Sequence, residues 1–147
     1  MATVFDVAKY ILNKLGEMDT WKLQKLVYYC QAWSAAWEDR GIFDSRIEAW
    51  ANGPVCPELF KQHQGTYRTS PDAFYPRYKF APDSLSPDDV DTIEAVIKSY
   101  GDKPGYWLRA LTHMEDPWRK ARGDIPEMEP CTNEITLESM AEYYGSL

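Results

Sequence analysis

Apolar residues recur at helical spacing from the start of the chain. Val4, Val7, Ala8, Ile11 and Leu15 share one face of a 3.6-residue repeat, and Thr3 with Asp6 three positions on has the form of a capping box. Gly16 is a natural stop. A longer helix is expected over about 20–38, through "WKLQKLVYYCQAWSAAW". One stripe is Leu23, Leu26, Val27, Cys30, Trp33 and Trp37; a second, offset stripe is Trp21, Tyr28, Ala32 and Ala35. Apolar side chains on most sides mark a helix enclosed by its neighbours, hence a central one. Lys25 lies between these stripes, placed to reach a buried carboxylate or carbonyl.

After Gly41 the period changes. Ile47 and Ala49 alternate with Arg46, Glu48 and Trp50, which predicts a short strand. The "NGP" that follows is turn chemistry, because Asn and Gly tolerate positive φ and Pro drives its predecessor out of the helical region. "PELFKQHQG" predicts a two-turn helix with Pro57 at its first position and Gly65 closing it. The Tyr- and Pro-rich stretch 65–83 reads as a loop, with a short strand near 77–81 available to pair with 46–50. "SPDDVDTIEAVIKSYG" carries the clearest helix signals: Ser86 as N-cap, Pro87 behind it, Asp89 at N3 and Gly101 past the end. Its buried face is Val90, Ile93, Val96, Ile97 and Tyr100. A helix over about 105–112, a break, and a helix from Pro117 capped by Asp116 come next. Residues 124–134 read as loop, and "TLESMAEYYG" as a last amphipathic helix with Leu137, Met140 and Tyr144 inward. The expectation is a mainly α fold: one compact domain over 1–147, six or seven helices around a central aromatic-rich helix, and at most a short two-stranded β-pair.

Composition agrees with a packed domain. The chain has 147 residues, 44% hydrophobic and 14% aromatic, so it can bury a sizeable core built on large rings. A surplus of Trp and Tyr also suits a binding surface. The net charge of −7 repels phosphate backbones, which disfavours nucleic acid as the main ligand and favours a basic protein partner. No run of about 18 apolar residues exists, so no membrane span is expected. "MATVFDVAKYILNKLG" has no basic n-region before an apolar run and reads as no signal peptide. Cys30, Cys56 and Cys131 are odd in number and far apart, which suits a reducing cytoplasm.

Candidate chemistry is sparse. His63 and His113 have no second His or Cys at helical ligand spacing. His113, Glu115 and Asp116 could converge as three ligands, but Asp116 is better explained as a helix cap, so no metal and no cofactor are expected. Cys56 stands at the start of a short helix, where the dipole favours thiolate, yet no base and no nucleophile elbow accompany it. A small hydrolytic enzyme using Cys56 or His113 is the alternative to a binding protein; no catalytic residue is assigned. The short helices 57–64 and 105–112 carry too few basic groups for a DNA-reading element.

Three blocks, in order, resemble the Panacea antitoxin domain family, the SocA-like and phage-associated proteins. "KLQKLVYYCQAW", Lys22 to Trp33, is similar to the family's Lys-Leu-x-Lys-Leu-aliphatic-Tyr block. "IEAWANGPVCPELF", Ile47 to Phe60, is similar to its Ala-Trp-x-x-Gly-Pro-Val-x-Pro-x-Leu-aromatic block, with Phe60 where Tyr is more usual and Cys56 where an aliphatic residue is. "LTHMEDPW", Leu111 to Trp118, is similar to its Thr-His-x-x-x-Pro-Trp block. The likeness covers about 4–121 and leaves the tail 122–147 undiagnosed. It implies an antitoxin that binds a protein toxin made from the adjacent gene. The alternative it carries is an adaptor that hands a partner to an ATP-dependent protease.

On this reading the residues facing a partner are Trp50, Asn52, Gly53, Pro54, Val55, Glu58, His113 and Glu115. Those holding the fold are Leu23, Lys25, Leu26, Tyr28, Thr112, Pro117 and Trp118. A glycine-proline turn beside a Trp suits a binding hot spot as well as a hinge.

Overall fold

The computed structural model describes residues 1–72 and 84–147. The strand expected near 77–81 lies outside the described residues. Helix α1 (Val4–Leu15) starts at a complete capping box: Thr3 accepts from the Asp6 amide, and the Asp6 carboxylate accepts from the Thr3 amide at 2.9 Å. Helix α2 (Thr20–Glu38) is capped by Asp19, whose carboxylate accepts from the Lys22 amide at 2.7 Å. From Leu23 to Ala32 every α2 residue is buried, as a central helix requires. The stripe ends differently from the expectation: Trp37 is exposed and leans on Trp33 with ring centroids 5.0 Å apart.

Around α2 stand α1, α4 (Pro87–Tyr100), α5 (Gly105–Met114) and α7 (Leu137–Gly145). Helices α3 (Pro57–His63) and α6 (Asp116–Arg122) complete seven among the described residues. Helix α4 also begins at a full capping box, Ser86 with Asp89. At its end Gly101 is needed for close approach, since a Cβ there would lie 2.5 Å from the Ile97 carbonyl oxygen. Leu26, Cys30, Ile93, Leu108 and Tyr144, from four different helices, share one hydrophobic cluster. Leu26→Ala is therefore expected to cost about 2–5 kcal/mol, read as a lower urea midpoint at unchanged slope.

The strands exceed the short pair expected. β1 (Met18–Asp19) pairs antiparallel with β4 (Arg68–Thr69). β2 (Ile47–Trp50) lies between β3 (Gly53–Val55) and β5 (Glu134–Ile135), antiparallel to both. Ile47 and Ala49 face inward, as the alternation predicts. β5 begins at Glu134, the last residue of the stretch read as loop; its two residues are too few to show a period, and pairing with β2 alone defines it. In α7, Met140 and Tyr144 are buried, but Leu137 is largely exposed at the first turn. Asp116 is not the cap of α6: Glu115 holds that position without a side-chain bond, and Asp116 instead faces Lys120 one turn on at 3.7 Å.

Candidate functional site

The hairpin β2–β3 is pressed against α2 by two constraints on Gly53. Its φ is 110°, which L side chains rarely adopt, and a Cβ there would lie 2.5 Å from Lys25 Cε and 3.1 Å from Thr112 Oγ1. The turn thus closes over the Lys25 stem. A cavity of about 400 Å³ opens beside it, lined by Asp19, Trp21, Lys25, Asn52, Tyr67, Arg109 and the start of α5 at Pro104 to Tyr106. Lys25 is 1% exposed, and its ammonium has no hydrogen-bond partner among the described residues. It reaches neither the carboxylate nor the carbonyl expected of it, and lies 5.4 Å from the centroid of Trp21. Burial, and then Arg109, brings its pKa down to about 7, with Asp19 opposing. Arg109, half-buried, likewise makes no side-chain hydrogen bond or ion pair among the described residues. Tyr67 and Tyr106 stand at the cavity largely in solvent, 68% and 78% exposed.

The 111–118 corner is the second feature. His113 stacks flat on Trp118, centroids 3.9 Å apart, and its Nδ1 meets the Glu127 carboxylate at 2.9 Å. With a carboxylate accepting, Nδ1 carries the proton, and burial pulls the imidazole pKa down. The Trp118 indole N–H donates to the Trp50 carbonyl at 2.8 Å. The Arg122 guanidinium lies 4.9 Å from the Trp118 ring centroid and donates to Ala49 O (2.8 Å), Pro126 O (2.6 Å) and Glu129 O (2.6 Å). One arginine therefore ties α6 to the middle strand and to the tail. Thr112 turns back to donate to the Arg109 carbonyl at 2.8 Å.

Glu115 is internal rather than facing outward. Its Oε1 accepts from the hydroxyls of Tyr29 (2.7 Å) and Tyr144 (2.8 Å), and Tyr28 in turn donates to Tyr144 at 3.0 Å. Burial raises its pKa, and the two tyrosine bonds oppose the rise. Tyr29 also stacks on Tyr100, 4.2 Å between centroids, and Tyr100 accepts from the Trp33 indole at 3.0 Å. The aromatic surplus of the sequence is spent here on a wired interior.

Of the residues expected to face a partner, Asn52 and Glu58 are exposed, and Trp50 and His113 are half-buried. Gly53, Pro54, Val55 and Glu115 are buried. Leu23, Lys25, Leu26, Tyr28, Thr112, Pro117 and Trp118 are all interior. The thiolate expectation for Cys56 is overturned: burial pushes its pKa up to about 11, outweighing the amides at the start of α3. Gln24 explains that burial, bonding the Cys56 amide at 2.9 Å and His63 Nε2 at 2.9 Å. Sequence reasoning missed Asp19, Tyr67, Tyr106, Arg109 and Arg122. No periodic signal distinguishes Arg109 from a solvated arginine; only its sharing a cavity with Lys25 does.

Among the described residues, no group of three His, Cys, Asp or Glu side chains is placed to hold a metal ion. Nor is any helix among them long and apolar enough to cross a membrane. Neither the curated proteins nor the solved structures yield a match to the chain. Residues 23–119, which carry the Lys25 helix, the hairpin and the 111–118 corner, match the family model described as "Antitoxin SocA-like, Panacea domain", and the chain belongs to that family.

Proposed function

We propose that this protein is an antitoxin that neutralises a protein toxin, encoded by an adjacent gene, through direct binding in the cytoplasm. Family membership supports an antitoxin-type role. The observation that carries the binding face is the hairpin corner, where Asn52 stands exposed at a cavity with Tyr67 and Tyr106, between Trp50 and the buried Gly53. Exposed rings on a rigid support lose little entropy on binding and supply large apolar contacts. A chain of net charge −7 meets a basic toxin with favourable steering. We read 1–147 as one domain in this role, because Ile135, Met140 and Tyr144 of the tail join the same cluster as Leu26.

Asn52→Arg tests the face. It inserts bulk and charge at an exposed position, so affinity for the co-expressed toxin is expected to fall while stability moves by no more than about 0.5 kcal/mol. Calorimetric affinity and a melting curve on the same preparation check both halves. Unchanged affinity would shift the interface to the tail, where Met128 is prominently exposed. Toxin levels in cells lacking ATP-dependent proteases separate neutralisation by binding, which leaves them unchanged, from delivery for degradation.

A further inference from the structure

We infer that the cavity beside the hairpin is a binding site for an oxyanion, a carboxylate or phosphate carried on a flat or apolar body, held between Lys25 and Arg109. Buried polar groups in folded proteins are almost always partnered, and an unpaired buried ammonium opposes folding. Lys25 is such a group, 1% exposed and without a hydrogen-bond partner among the described residues, its ammonium meeting the Trp21 ring at 5.4 Å. Its stem is held in place by the turn at Gly53, where any Cβ would meet Cε. A second cation, Arg109, lines the same cavity, also without an ion pair among the described residues. Two like charges at one cavity repel each other, and an anion between them converts that repulsion into two charge-assisted bonds. An arginine fork suits the planar pair of oxygens that carboxylates and phosphates present.

The wall supplied by α5 points the same way. This ten-residue helix starts without a side-chain cap, and its first residues, Gly105 and Tyr106, line the cavity with the positive end of the helix. One carboxylate is present, Asp19, close enough that a Cβ on Gly105 would lie 2.9 Å from its Oδ1. Asp19 is already engaged in capping α2; within the lining two cations face one anion, while Glu127 acts on Arg109 from outside it. The space of about 400 Å³ exceeds what a bare phosphate or acetate fills and falls within the range of small-molecule sites. Trp21, Tyr67 and Tyr106 give the lining aromatic surface for the body of the ligand, and Asn52 adds an amide.

The oxyanion has two sources, a free small molecule or an acidic side chain of a protein partner, and the test has an arm for each. Adenosine monophosphate, inorganic phosphate and uncharged adenosine are titrated into the parent, Lys25→Met and Arg109→Gln, by calorimetry and by melting temperature. Lys25→Met keeps the stem and removes the unpaired charge, so without ligand it is expected to melt at or above the parent temperature. Adenosine monophosphate is expected to raise the parent melting temperature, adenosine is not, and each variant is expected to lose about tenfold or more in affinity. If the small anions leave the parent unmoved but both variants lose about tenfold in affinity for the adjacent gene product, the oxyanion is the partner's carboxylate. The small-anion arm does not rest on the antitoxin reading, so it survives the absence of any toxin. Variants that bind the small anions and the adjacent gene product as the parent does overturn the assignment, and so does a parent that responds to no small anion while the variants keep full affinity for that gene product.

Discussion

Val55→Asp is expected to unfold the protein, costing more than about 4 kcal/mol against the roughly 5–15 kcal/mol that holds a domain together. Val55 is 0% exposed, at the end of the strand that closes over Lys25, opposite Glu48 in β2. The chain on either side of it is fixed, with Gly53 against Lys25 and the Cys56 amide on Gln24. A carboxylate there is taken out of water, and a buried charge is costly unless paired and hydrogen-bonded. Even an encounter with the Lys25 ammonium would not suffice, because a buried ion pair without well-placed supporting bonds does not recover its desolvation cost. Asn52→Arg, three positions earlier and exposed, is the control: similar in chemical violence, neutral in stability. Circular dichroism and elution volume at neutral pH distinguish a folded from an unfolded Val55→Asp chain. A variant that melts within a degree or two of the parent would mean that β3 does not pack as described.

How far the sequence could be read depended on whether a feature was local. The capping boxes at Thr3 and Ser86 need only three residues each, and both helices start where those residues stand. The bounds of α2 follow from an unbroken apolar pattern, and the strand at 47–50 from alternation alone. Failures begin where a side chain's partner is distant. Glu115 looks like a surface carboxylate beside a helix break, but its bond to Tyr29 spans 86 positions. Once Glu115 is taken inside at the capping position, Asp116 becomes the first residue of α6 and cannot cap it. Cys56 looked activated by a helix start, yet Gln24 of the central helix seals that start from the other side. β5 exists only because the tail returns to pair with β2. The cavity was the least legible feature of all, since Lys25, Asn52 and Arg109 lie in three separate segments and only the packing of α5 and the hairpin onto α2 assembles them.

The 111–118 corner is where one ring carries the most. Trp118→Ala is expected to cost about 3–5 kcal/mol, the range for deleting a large buried aromatic. The ring is 4% exposed and bears three kinds of interaction: His113 stacked on it, Arg122 beside it, and the Trp50 carbonyl on its N–H. Removing it leaves the Trp50 carbonyl without its donor at the edge of the hairpin and loosens Arg122, which ties α6 to Ala49 and to the 126–129 loop. Trp118→Phe retains most of the ring but not the N–H, so its cost is expected at about 1–3 kcal/mol, the penalty for one buried acceptor left unsatisfied. Because Trp118 and Arg122 touch, Trp118→Ala and Arg122→Met should be non-additive: the double variant should lose less than the two single losses combined, by about 0.5–3 kcal/mol. Urea unfolding of the four single and double variants measures the series. Equal midpoints for Phe and Ala at 118 would show that the ring contributes nothing beyond its N–H bond, and strict additivity would mean that Arg122 holds the strand and the tail without the ring.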